Sequence, residues 1–164
     1  MKIGQGFDSH RLVPGRRLVL GGQHIEYPLG LEGHSDADVV IHAVIDALLG
    51  AAGLGDIGMH FPDSDPAYKD ASSVAMLETV AQAIDSLNFV IVNIDVTICA
   101  QAPKIGPVRH LMIGNLSAAL KIDPDRINIK ATTTEGLGFV GRGEGIAAFA
   151  VALLENNSPE KVDR

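Results

Sequence analysis

With 164 residues, 46% hydrophobic and 20% charged, the chain can build one buried core but not two. A formal charge of −7, with no basic cluster interleaved with aromatics, excludes a general nucleic-acid surface. The longest apolar run, VVIHAVIDALLGAAGLG at 39–55, holds His42 and Asp46 and falls short of a membrane span.

The start MKIGQGFDSH has no apolar stretch or small-residue cleavage site, so no signal peptide is expected. A lone Cys99 forms no internal disulfide, which agrees with a reducing cytoplasm, the expected location.

In chain order, residues 2–12 and 17–27 alternate as two strands about the turn signal Pro14-Gly15. Ser35, followed by Asp36 and Asp38, is expected to cap a helix with acids in its first turn, and Val39 to Ala52 is apolar almost all round, which predicts burial. Residues 53–70, GLGDIGMHFPDSDPAYKD, have no period and are expected to form a functional loop. An amphipathic helix follows at 72–87, and residues 88–101 give the clearest alternation of a strand. Residues 107–121 read as a helix and 125–134 as a strand. Residues 143–155 read as an apolar strand, although their Ala and Leu content leaves a helix open. The segment 157–164 is a polar tail expected to fray, so residues 1–156 make the single domain. Mixed hairpins and helix-linked crossovers predict an α+β sandwich, with helices on one side of a mixed β-sheet.

On a strand, Asp8 and His10 share a face and can converge on one ion. His42 lies inside the apolar helix, where it is either a core histidine bonded to a carbonyl or a third ligand. Asp46, one turn on, is positioned to accept its second ring N–H. Asp, His and His suit zinc and leave a fourth position open, the pattern of a catalytic site. His34 and Ser35 stand at the presumed helix start, where backbone N–H groups favour an anion; simple capping by Ser35 is the alternative. In KATTTEGLGFVGRGEG (130–145), three Thr, Glu135, several Gly and Arg142 suit a phosphate with a hard divalent cation. AQAPKIGP (100–107) holds Lys104 in a rigid loop that suits a base or ribose, or is an ordinary turn. Cys99 reads as inert buried packing.

The segments GFDSHR, GHSDADV, GDIG with FPDSDP, AQAPK and KATTTEGLGFVGRGEGIA, in this order from residue 4 to about 155, resemble the motifs of the 2-C-methyl-D-erythritol 2,4-cyclodiphosphate synthases. The resemblance implies a synthase of the non-mevalonate isoprenoid pathway. Such an enzyme converts 4-diphosphocytidyl-2-C-methyl-D-erythritol 2-phosphate to the 2,4-cyclodiphosphate and releases CMP. It implies zinc ligands Asp8, His10 and His42, with Glu135 on a second ion, Mg2+ or Mn2+. His34, Thr133 and Glu135 would be catalytic. The methylerythritol phosphate pocket would comprise Ser35, Asp56, Ile57, Gly58, Phe61, Pro62, Asp63, Ser64 and Asp65. Cytidine would lie against Ala100, Gln101, Ala102, Pro103, Lys104, Ile105 and Gly106, with Thr132, Thr133 and Thr134. The resemblance further implies a homotrimer whose sheets pack around a central axis and whose active sites are shared between neighbours. Phe139 and Arg142 would line substrate or the trimer centre, where an isoprenoid diphosphate fits. The contrasting expectation is a non-catalytic zinc-stabilised trimeric ligand-binding module, which would have no need of Glu135 beside three Thr. Metal-assisted hydrolysis to a linear product is a further alternative.

Overall fold

The computed structural model describes residues 1–157, so all of the tail expected to fray except Asn157 lies outside them. The first strand, β1 (Lys2–Pro14), runs antiparallel to the last, β7 (Gly145–Asn156), with Phe7 opposite Phe149 and His10 opposite Ile146. Its far end turns onto β4 (Leu29–Leu31). β7 also pairs antiparallel with β5 (Phe89–Cys99), and β5 pairs parallel with β6 (Ile127–Thr132). The result is a five-stranded mixed sheet ordered β4-β1-β7-β5-β6. Residues 145–156 are therefore strand, which settles the ambiguity of their Ala and Leu content.

The expected strand at 17–27 divides into β2 (Leu18–Leu20) and β3 (Gln23–Ile25), a separate two-stranded hairpin. Gly21 and Gly22 between them both have positive φ, 57° and 70°, as a two-residue hairpin turn matched to strand twist requires.

The helices α1 (Val39–Ala52), α3 (Ser73–Ser86) and α4 (Arg109–Leu120) cover one sheet face, while α2 (Ile57–His60) and α5 (Gly138–Gly141) are single turns. The loop at 53–70 is thus partly regular, since it contains α2 and a 3-10 turn at Pro66–Tyr68. Asp38, not Ser35, caps α1, and it is fully buried. Its carboxylate accepts Val40 N and Ile41 N (both 3.1 Å) and, across the fold, Gly21 N (2.8 Å) and Gly22 N (2.6 Å), so one side chain fastens the hairpin to the helix. Burial raises its pKa, and these backbone donors pull it back. Two of the first-turn N–H groups of α1, those of Val40 and Ile41, are accordingly taken by Asp38.

Gly4 and Gly6 share a strand face with Asp8 and His10. A Cβ on Gly4 would come 2.0 Å from the Ala47 carbonyl oxygen, and one on Gly6 2.0 Å from that of Ala43. Two glycines facing Ala43, Ala47 and Ala51 let the helix backbone rest directly on β1, and this close approach brings His42 over Asp8. Gly6→Ala is expected to destabilise the fold by at least about 1–3 kcal/mol, because backbone on backbone cannot yield as a flexible side chain does. Thermal melting should register this as a fall of roughly 2–4 °C per kcal/mol.

The other sheet face is open. Ile3, Phe7, Phe149 and Val151 are 71%, 46%, 44% and 38% exposed, and the Phe7 and Phe149 rings pack with centroids 4.7 Å apart. Beside this apolar half, Asp95 accepts Asn128 Nδ2 (2.7 Å) and pairs with Lys130. No helix of the described residues is long and apolar enough to cross a membrane.

Candidate metal centre and active site

Asp8, His10 and His42 converge, the first two on one strand face as the strand period predicts and His42 as the third ligand that the resemblance implies. Asp8 Oδ2 lies 3.0 Å from His10 Nε2 and 2.9 Å from His42 Nδ1, and the two ring nitrogens are 3.3 Å apart. The outward side of each ring sets its tautomer. His10 Nδ1 stands 2.6 Å from the Glu32 carbonyl, which can only accept, so Nδ1 carries hydrogen and Nε2 of the neutral ring presents a lone pair. Ser73 Oγ donates to the Asp36 carboxylate, which leaves it lone pairs for His42 Nε2 at 2.9 Å, so the neutral His42 that donates there turns a lone pair on Nδ1 inward. Two lone pairs and a carboxylate oxygen then face one point and repel each other unless a cation sits among them. Donors at about 2.0–2.1 Å from a four-coordinate ion lie roughly 3.3 Å from one another, close to the separations found. The residues fit a metal ion.

Burial alone would raise the Asp8 pKa; without a metal, the cations that replace it are the protons taken up by the inward nitrogens, and the hydrogen bonds and charge of His10 and His42 in that state hold Asp8 well below the usual carboxylate range. Burial would lower His10, and Asp8 together with the Glu32 carbonyl outweighs it to give a net rise. In the metal-free protein, a raised His10 stabilises the fold fully below its unfolded pKa of 6.5 and is lost as pH rises through the folded value. A depressed Asp8 acts above 3.8 and is lost on acidification. Metal-free melting temperature should therefore gain from this pair most between those two values. A metal competes for the same inward nitrogen, so below the raised His10 pKa its affinity should weaken by about tenfold per pH unit, measurable by titration at several pH values.

Asp46 does not serve His42. Its Oδ1 accepts Ile57 N at 2.8 Å and anchors the start of α2, while burial raises its pKa. Serines that the sequence reading left unused as ring partners take its place: Ser73 at 2.9 Å and Ser35 at 3.3 Å from His42 Nε2. Ser73 had no signal beyond its position at a helix start.

A cavity of about 300 Å³ opens over the triad and is lined by Asp8, His10, Gly33, His34, Ser35, His42, Ile57, Gly58, Phe61, Asp63, Tyr68 and Met76. His34 Nε2 is buried there with no hydrogen-bond partner among the described residues, a polar atom that a ligand would satisfy. Asp56 caps α2 by accepting Met59 N, and Asp65 accepts Ala67 N; neither lines the cavity, nor do Pro62 and Ser64 of the same loop. Gly33, Tyr68 and Met76 were not singled out in the sequence.

The remaining predicted residues gather elsewhere. Ala100 N donates to Thr132 O at 3.0 Å, which joins the loop 100–106 to the end of β6. Within it, Ala100 and Ile105 are buried, Ala102 and cis-Pro103 half-buried, and Gln101, Lys104 and Gly106 exposed. Thr133 Oγ1 donates to Glu135 Oε1 (3.0 Å) and Thr134 Oγ1 to Leu137 O (2.6 Å); Glu135 itself is left-handed at φ 52°. None of these residues lines the triad's cavity within the chain. Phe139 borders a smaller cleft beside His10, and Arg142 makes a bidentate pair with Glu144, at 2.8 and 3.0 Å. Cys99 is half-buried, less enclosed than its strand pattern implied, with its thiol pKa raised by burial.

Comparison with known proteins agrees with this geometry. The YgbB family model matches residues 1–155. A 2-C-methyl-D-erythritol 2,4-cyclodiphosphate synthase from Desulfatibacillum aliphaticivorans is 58% identical over 94% of this chain and 100% of its own. The bifunctional IspDF of Campylobacter jejuni is similar over 94% of this chain but only 42% of its own, at 43% identity and TM-score 0.91. A 2C-methyl-D-erythritol-2,4-cyclodiphosphate synthase solved with CDP bound covers 94% of this chain and 100% of its own, at 38% identity and TM-score 0.86. With residues 1–155 and the fold matched, the chain belongs to the YgbB family, among the 2-C-methyl-D-erythritol 2,4-cyclodiphosphate synthases, and is an enzyme of that class.

Proposed function

We propose that the protein converts 4-diphosphocytidyl-2-C-methyl-D-erythritol 2-phosphate to 2-C-methyl-D-erythritol 2,4-cyclodiphosphate and CMP, using zinc at Asp8, His10 and His42 and magnesium or manganese at Glu135. The observation that carries this reading is the lone-pair geometry of the triad beneath a cavity containing an unpartnered His34 nitrogen. An oxygen of the substrate's 2-phosphate attacks the β-phosphorus, the bond from that phosphorus to the bridging oxygen breaks, and the oxygen leaves on the α-phosphate of CMP. Bound divalent cations would neutralise phosphate charge and align the reacting groups, the main needs of phosphoryl transfer.

The chain's own residues do the rest. His34 Nε2 is placed to bond a phosphate oxygen, and Ser35, Gly58 and Asp63 line the space for the sugar phosphate. The loop from Asp56 to Asp70, held at Ile57 N by Asp46 and at Asp70 N by the His34 carbonyl (2.9 Å), folds the substrate back on itself and limits water. Because Thr133, Glu135 and the loop 100–106 do not reach their own triad, this reading requires them from a neighbouring subunit, with cytidine seated between two protomers of a trimer. CDP in the related synthase supports a cytidine-linked substrate.

The arrangement is tested by supplying the cytidine diphosphate alcohol with and without its 2-phosphate. CMP should appear only with the 2-phosphate and a divalent ion; equal release from both substrates would refute intramolecular attack.

A further inference from the structure

We propose that Ser73 and Asp36 are positioning residues for the metal site, fixing the imidazole of His42 with its unprotonated Nδ1 toward Asp8 and His10. The inference rests on the metal-site reading above and adds two residues to it. Ser73, the first residue of α3, is fully buried, yet its hydroxyl is spent on neither capping nor solvent. It donates to Asp36 Oδ1 and stands 2.9 Å from His42 Nε2, while Asp36 Oδ2 accepts Ser73 N at 2.9 Å. A serine has one proton. Given to the carboxylate, it leaves acceptor capacity for the ring, so Ser73 favours the neutral His42 that carries its hydrogen on Nε2 and offers Nδ1 to a cation beside Asp8. A carboxylate behind the hydroxyl also polarises it, which makes it a stronger acceptor and His42 a more basic ligand.

The same hydrogen bonds serve the cavity. Asp36 N donates to Ala71 O (3.2 Å) and Asp70 N to His34 O (2.9 Å), so the segment holding His34 and Ser35 is stitched to the end of the loop holding Asp63. The ring that binds the metal and the walls that meet the sugar phosphate share one scaffold. Ser72 at the cap of α3 makes no side-chain capping bond, and Asp36 replaces it from across the fold.

The test is zinc affinity by chelator competition, with the visible spectrum of the cobalt(II)-substituted full chain as a second readout. Ser73→Ala should weaken zinc about 10–100-fold, as loss of an outer partner of a ligating histidine generally does. It should also shift the cobalt spectrum, because the ring is no longer held. Ser73→Thr should bind more tightly than Ser73→Ala, since the hydroxyl returns. A purely structural role gives the opposite order, because the extra methyl crowds a fully buried position. Asp36→Asn should lose less than Ser73→Ala, since an amide oxygen still takes the serine proton without charge assistance. Wild-type zinc affinity in Ser73→Ala, or Ser73→Thr no tighter than Ser73→Ala, overturns the proposal. Asp8→Asn separates the two levels: if it also leaves zinc unchanged, the metal-site reading itself fails.

Discussion

Asp8→Asn and His42→Ala are expected to lose bound zinc on purification and to release no measurable CMP. Asp8 Oδ2 is the point both rings share, at 2.9 and 3.0 Å, and the only negative charge in the triad. An amide keeps the shape but removes the charge that balances a divalent ion between two imidazoles. His42→Ala leaves two donors, too few for a stable catalytic zinc. Each loss should exceed the ~10–100-fold that follows removal of an outer partner. Metal analysis with a CMP assay on the same preparations checks both, and wild-type zinc content in either variant would remove the triad from the account. The fold should survive, since the triad lies at the cavity edge and its loss leaves the core of α1 against β1 and β7 intact.

In the proposed trimer, Phe149→Glu should separate the protomers and abolish turnover while leaving the triad competent for metal. Phe149 lies on the open sheet face, paired with Phe7 and flanked by Val151 and Ile3, an apolar patch that no element of the described residues covers. Burying one such side chain is worth about 1.5–3 kcal/mol, and a carboxylate in its place must be desolvated at each of the symmetry-related contacts. Under the proposed sharing, loss of activity follows because Glu135 and the loop 100–106 do not line the cavity of their own triad. The sharing has its own readout. Asp8→Asn and Glu135→Gln trimers, each inactive, should regain CMP release after joint unfolding and reassembly, since some interfaces then join an intact triad to an intact Glu135. A stable, active monomer seen by sedimentation would refute both the trimer and the shared site.

Much of this was legible in the sequence because the periods are simple. Asp8 and His10 two apart on a strand share a face, and His42 inside an apolar helix is an expensive residue that needs a reason. What the sequence concealed were partners set by tertiary contact. Asp46 looked right for His42 by one-turn spacing, but helical side chains lean toward the N-terminus, so the ring points back to Ser35 and Ser73, which lies 31 residues along. Ser35 looked like the cap of α1, yet the chain continues three residues before turning helical, and Asp38 takes the N–H groups because it can satisfy Gly21 and Gly22 as well. The hairpin inside 17–27 was marked by its Gly-Gly pair and overlooked within a longer alternating run. No local pattern could have told that Glu135 stands apart from the triad, since that depends on how distant strands are ordered in the sheet.

The central claim is that the substrate's own phosphate, and not water, attacks at this site. Phosphorus NMR of the product decides it most directly. With purified enzyme, zinc and magnesium, the 2-phosphate-bearing substrate should yield one CMP resonance and two mutually coupled diphosphate resonances of an eight-membered ring, with no phosphomonoester other than CMP. A linear bisphosphate accompanying CMP would mean that water is the nucleophile, and the cyclisation reading would be wrong.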